Sequence, residues 1–271
     1  MTPAAYVPLL IATALAMALP RAAGQLPPPG AVRLMVVMGG ACAVAFTATL
    51  AALAVGSAGR LVAVSATVSL ALSAALTLRL CARLLREYVR ARRLRRLPAT
   101  TGGLVIVDDA RPDACVVPLA GRIVVTTGML RSLDAAQRRV LLAHERAHLR
   151  CRHHLYRAAA ELAACLNPLL RPLSRAVAQT TERWADEEAA AEVGERALAA
   201  QAIAHAALAT AGRARPVRAD RCRSPVPYRV RALMAGPPAA RPLITTPVYA
   251  SLVANACATK DALQSITAVL G

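Results

Sequence analysis

The chain has 271 residues and a formal net charge of +18, from 33 Lys and Arg against 15 Asp and Glu. It is 56% hydrophobic but only 3% aromatic, with a mean hydropathy of +0.45, which points to a membrane component rather than a purely soluble domain. Seven cysteines, odd in number and with no C-x-x-C pair, argue against a disulfide framework or a structural zinc knuckle.

The N-terminal third reads as membrane. Ala4 to Leu19 is apolar and uncharged. It is expected to be a first span, or else a signal peptide, although no basic residue precedes Arg21. Leu34 to Gly56 is long enough to cross about 30 Å of hydrocarbon. Leu61 to Leu78 is a shorter third candidate, and small residues dominate all three, as suits close helix packing. A basic run follows, with Arg79, Arg83, Arg86, Arg90, Arg92, Arg93, Arg95 and Arg96. The positive-inside rule places this end in the cytoplasm and the N-terminus outside. Such a charge excess also fits nucleic acid, but no aromatic platform accompanies it, so a specific nucleic-acid partner is not expected.

From Leu97 the pattern changes. "GGLVIVDD", "DACVVPLAG" and "RIVVTTG" are short β-branched runs punctuated by Asp, Pro and Gly, which read as strands and tight turns. Asp134 with Gln137 three residues on is a capping-box arrangement that starts a helix reaching about Tyr156. Pro168 and Pro172 break the next helical stretch. A helix over Ser174 to Glu192 and an Ala-rich helix through His205 follow, then an Arg/Pro-rich loop over Arg213 to Pro227. Leu243 to Ala258 is apolar but contains Pro247 and Asn255, and is a fourth span or an interfacial or buried helix. The expected organisation is a membrane domain over 1–96, an α+β, mainly helical domain with a small antiparallel sheet over 97–238, and the tail over 239–271.

His144-Glu145-Arg146-Ala147-His148 is an H-E-x-x-H. On a helix, residues four apart share a face, so both imidazoles can reach one Zn2+ while Glu145 stands beside it as general base. Two histidines and a glutamate also meet by accident on charged helices. Here "VLLA" precedes them, giving the helix an apolar side to bury, and strands and a cap come before it. A catalytic zinc needs a third protein ligand and an open position. Glu182, 34 residues after His148, suits that role, with Asp186 one turn further holding an imidazole N–H. Alone, these two read equally as a solvated acidic face, since Glu187, Glu188 and Glu192 follow.

"VLLAHERAHLRCRHH" followed by "TERWADEEAA" resembles the gluzincin-type integral membrane peptidases. The resemblance is strongest to the M56 group, which contains the beta-lactam-sensing signal transducers, and extends to the M48 group. It covers about Arg90 to Val193 and implies a zincin-like fold, a zinc endopeptidase activity, and ligands at His144, His148 and Glu182. It also implies that a substrate peptide lies extended along an edge strand made of Asp113, Ala114, Cys115, Val116 and Val117. There are departures: Asp113 stands where the M48 group often has Asn, and "SPVPYRVRAL" is only loosely similar to the M48 tail. No large sensor domain follows the last apolar segment, so antibiotic sensing is not expected. The implied partners are the lipid bilayer and a protein substrate, with a cytosolic winged-helix repressor in regulated proteolysis as one candidate.

The other histidines fit the site poorly. His153 and His154 lie five and six residues past His148, off its face, and read as helix-end residues. His205 reads as a partly buried structural residue and Trp184 as core. The rival reading is an inactive signalling or scaffold protein of the same fold, which would not hold stoichiometric metal.

Overall fold

The computed structural model describes residues 26–55, 59–95, 103–211 and 225–236, with isolated positions nearer each end. The first apolar segment and the tail over 243–258 fall outside these stretches. The described elements are α1 (Pro28–Val55), α2 (Arg60–Leu94), β1 (Leu104–Val107), β2 (Ala114–Val117), β3 (Arg122–Thr126), α3 (Thr127–Ser132), α4 (Ala135–Arg150), α5 (His153–Leu166), α6 (Arg171–Val193), α7 (Arg196–Ala211) and α8 (Val226–Met234). They form two units, 1–84 with 156–177 and 239–271, and 85–155 with 178–238.

In the first unit, α1 and α2 are each long and apolar enough to cross a membrane. The third apolar segment ends near Leu78, and the arginine run after it continues the same helix to Leu94, a solvated helix face as the sequence suggests. Arginine has a high helix propensity, so nothing in that run stops the helix. Phe46, Leu50 and Leu53 on α1 pack with Ala66 on α2. Ser73 on α2 donates to the Leu166 carbonyl at 3.0 Å, and Arg83 pairs with Glu161.

In the second unit, β1, β3 and β2 lie side by side in that order. The expected antiparallel pairing holds for β2 with β3, with Cys115 opposite Val124. Strand β1 joins β3 in parallel, Val105 opposite Val124, so the sheet is mixed. A 3-10 turn over Pro118–Ala120 closes the β2–β3 connection, and Gly121 ends it at φ 64, where a side chain would be strained. Gly128 opens α3 against the preceding loop: a Cβ there would sit 2.2 Å from the Ala110 carbonyl oxygen. This close approach fixes the chain just before β2.

Helix α4 starts as the sequence predicts. Asp134 accepts from the Gln137 amide at 2.8 Å and the Gln137 side chain returns the bond. It ends at Arg150, short of the expected Tyr156. Arg152 has φ 52, and a new helix starts at His153. A left-handed residue cannot continue an α-helix, so the chain turns a corner here. Pro168 starts a 3-10 turn, while Pro172 lies in the first turn of α6, where its missing N–H costs nothing. Val140 and Ala143 of α4 pack with Ala189 and Ala190 of α6, Ala199 and Ile203 of α7, and Leu233 of α8. Ala side chains let these helices approach closely enough to bring polar groups into contact.

Candidate metal centre

Two residue pairs, each one helical turn apart, meet between α4 and α6. His144 and His148 come from α4, Glu182 and Asp186 from α6. All four are buried, as is Glu145. His144 Nε2 and His148 Nε2 are 3.1 Å apart. The Glu182 oxygens lie 3.7 Å from the first and 3.6 Å from the second. Ligand atoms from His144, His148 and Glu182 all fall within 4.8 Å of one another.

These separations fit zinc. Four bonds of about 2.0–2.1 Å in a tetrahedron put neighbouring ligand atoms about 3.3–3.4 Å apart. Contacts of 3.6–3.7 Å are too long for direct hydrogen bonds, so the carboxylate and the imidazoles face a shared gap rather than each other. Two neutral nitrogens and one carboxylate are also the borderline-soft donor set that zinc accepts.

The electrostatics match. Burial alone pushes the His144 imidazole down, but contacts with Asp186 and Glu182 outweigh it and raise the pKa to about 9. Burial opposes ionisation of Glu182, yet His148, His144 and Arg229 together hold its carboxyl well below the usual range. Asp186 is likewise held down against its burial, chiefly by Arg229. Asp186 Oδ1 lies 3.0 Å from His144 Nδ1, close but off the N–H line, so the contact is more a charge pair than a directed hydrogen bond.

Arg229 is the residue that the sequence reading missed. Its Nε and Nη2 grip the two Asp186 oxygens at 2.7 and 2.5 Å, and its Nη1 lies 3.3 Å from Glu182. It is buried on α8 and feels the Glu145 charge as well. The signal was present in "SPVPYRVRAL". Val226, Arg229, Val230 and Leu233 follow the i, i+3, i+4, i+7 spacing of a buried stripe, so Arg229 occupies an apolar slot. A buried arginine needs an anionic partner.

The expectation for His153 is corrected. It does not close the C-terminal end of α4 but opens α5 as its first residue, and it is only 1% exposed. Its Nδ1 is 2.9 Å from His148 Nδ1, and its ring lies 4.8 Å from that of Trp184. The helix corner at Arg152 returns it to the site. His154 stays partly exposed beside Arg152. Trp184 is buried as expected and donates to Glu188 at 3.1 Å. His205, expected to be partly buried, is exposed on α7, with its Nδ1 2.6 Å from Gln137 Nε2. Of the expected substrate strand, Ala114, Cys115, Val116 and Val117 form β2, at one end of the sheet order and beside α4. Asp113 precedes the strand, its amide donating to Thr126 Oγ1 at 2.9 Å.

The donor set, its spacing and a buried glutamate next to the first imidazole together mark a zinc metallopeptidase. The comparisons with known proteins agree. Residues 81–240, more than half of the chain, match peptidase family M48, and the chain belongs to that family. The M48 resemblance is thus the one that the comparisons bear out, and the M56 assignment is not confirmed. No curated protein and no solved structure matches the chain.

Proposed function

We propose that this M48 peptidase is anchored in the membrane by α1 and α2 and cleaves extended segments of cytoplasmic or membrane proteins. The observation that carries the reading is the buried cluster of His144, His148 and Glu182 donor atoms within 4.8 Å. These three residues would hold Zn2+, which when bound acidifies water and polarises the scissile carbonyl. Glu145 takes a proton from the attacking water and returns it to the leaving amine. Asp186 keeps the His144 ring turned to the site, and Arg229 helps the two imidazoles keep both α6 carboxylates ionised.

Strand β2 aligns the substrate. Its terminal place in the sheet order, beside the zinc helix, suits main-chain pairing with an added strand. Such binding selects extended backbone more than particular side chains. The membrane part over 1–96 carries the arginine-rich end of α2, which the charge rule puts in the cytoplasm together with the peptidase part over 97–238. The resemblance to the M56 group adds a small winged-helix repressor, cleaved in regulated proteolysis, as a candidate substrate.

Replacing Glu145 with Gln tests the reading. The variant should bind zinc one-to-one and lose about 10²–10⁴-fold in peptide hydrolysis. A variant that keeps wild-type turnover sinks the assignment. A wild-type chain that holds no stoichiometric zinc would favour an inactive scaffold.

A further inference from the structure

We infer that His153 orients the metal-binding ring of His148 by accepting its Nδ1 proton. The inference rests on the zinc reading above. His148 turns its Nε2 toward His144 Nε2, at 3.1 Å, and toward Glu182, at 3.6 Å. A neutral imidazole that gives one nitrogen to a metal carries its proton on the other. That other nitrogen, Nδ1, lies 2.9 Å from His153 Nδ1. Two nitrogens at that distance share one proton, and His148 must supply it. His153 is therefore the acceptor, neutral, with its own proton on Nε2.

The acceptor is held firmly. His153 is 1% exposed, and its ring is tilted 49° against Trp184 at 4.8 Å between centroids. Trp184 is anchored in turn by its bond to Glu188. The two zinc imidazoles thus have chemically different supports. His144 faces a carboxylate, Asp186, at 3.0 Å, and His148 faces a neutral ring. A metal-ligating imidazole ordinarily needs such a partner to fix its tautomer and orientation, and loss of one costs about 10–100-fold in metal affinity.

The test uses the full chain and zinc alone, with a competing chelator to read the dissociation constant. His153→Phe keeps a buried ring but offers no acceptor, and should weaken zinc binding about 10–100-fold. His153→Asn puts an amide oxygen near the place of Nδ1 and should recover most of that loss. Equal zinc affinity in wild type and His153→Phe, or no recovery with Asn, overturns the proposal. Nitrogen-15 NMR of histidine-labelled wild type loaded with zinc decides the matter even where a variant fails to fold. His153 must then show a protonated Nε2 and a bare Nδ1; a proton on its Nδ1 overturns the proposal. A wild-type chain that takes up no zinc would instead defeat the metal site itself.

Discussion

In α2 the large apolar side chains point outward, whereas in α4 and α6 the charged ones point inward. Leu61, Val64, Val68 and Leu72 are all more than half exposed. Their three- and four-residue spacing draws one apolar stripe, and Arg79, Arg83, Arg86 and Arg90 continue it. By contrast His144, Glu145, His148, Glu182, Asp186 and Arg229 are all less than a tenth exposed. The same physics explains both. Under the proposed membrane anchoring, an exposed apolar face is stable because its solvent is lipid. A buried charge is stable where an opposite charge or a metal meets it.

The comparison can be broken from the inside first. Arg229→Met removes a guanidinium that lies between two buried carboxylates. It should cost about 3–5 kcal/mol in the metal-free protein, because Asp186 loses its two-pronged guanidinium partner and Glu182 loses one of its cations. Thermal melting with and without zinc checks this, and zinc should restore part of the loss by compensating Glu182. From the outside, Val68→Arg should weaken membrane insertion by about 3 kcal/mol. Its zinc content should not change. Insertion as efficient as wild type would mean that this stripe does not face lipid.

A change of pH sharpens the inner half. With no metal, His144 is raised from 6.5 to about 9, so the zinc must displace its proton. Zinc affinity should rise about tenfold per pH unit up to about 9 and then level off. Stability runs the opposite way. The folded pKa lies above the unfolded one, so the His144 contribution is complete below pH 6.5 and fades as pH rises through 9. The chelated protein should lose melting temperature across that window, and the zinc-loaded protein should not. The smallest effect belongs to the exposed pair between α4 and α6. Arg146→Ala, at 53% side-chain exposure, should cost no more than about 1 kcal/mol and leave zinc binding untouched.

How much of this was legible in the sequence follows the range of the interaction. Local signals were read correctly. Asp134 and Gln137 share one helical turn, and so do His144 and His148. Glu182 was found because zinc chemistry demanded a third ligand, not because the sequence placed it. The start of β2 was misplaced by one residue, at Asp113, since a strand edge has no strong local marker. Arg229 lies 43 residues from Asp186; its apolar slot marks it as buried, but nothing local names its partner. Strand β1 is legible in "GGLVIVDD", but its parallel pairing with β3 is not, because strand runs show period and not direction.

The left-handed residue at position 152 has a wider consequence. A straight helix would swing the fifth residue after His148 about 140° around its axis, away from the metal face. One turn of the chain cancels that swing. The outer support of His148 thus depends on the length of a two-residue corner, Cys151 and Arg152, rather than on any face of a helix. Adding or deleting a residue there would change none of the three ligands and still leave His148 without its support.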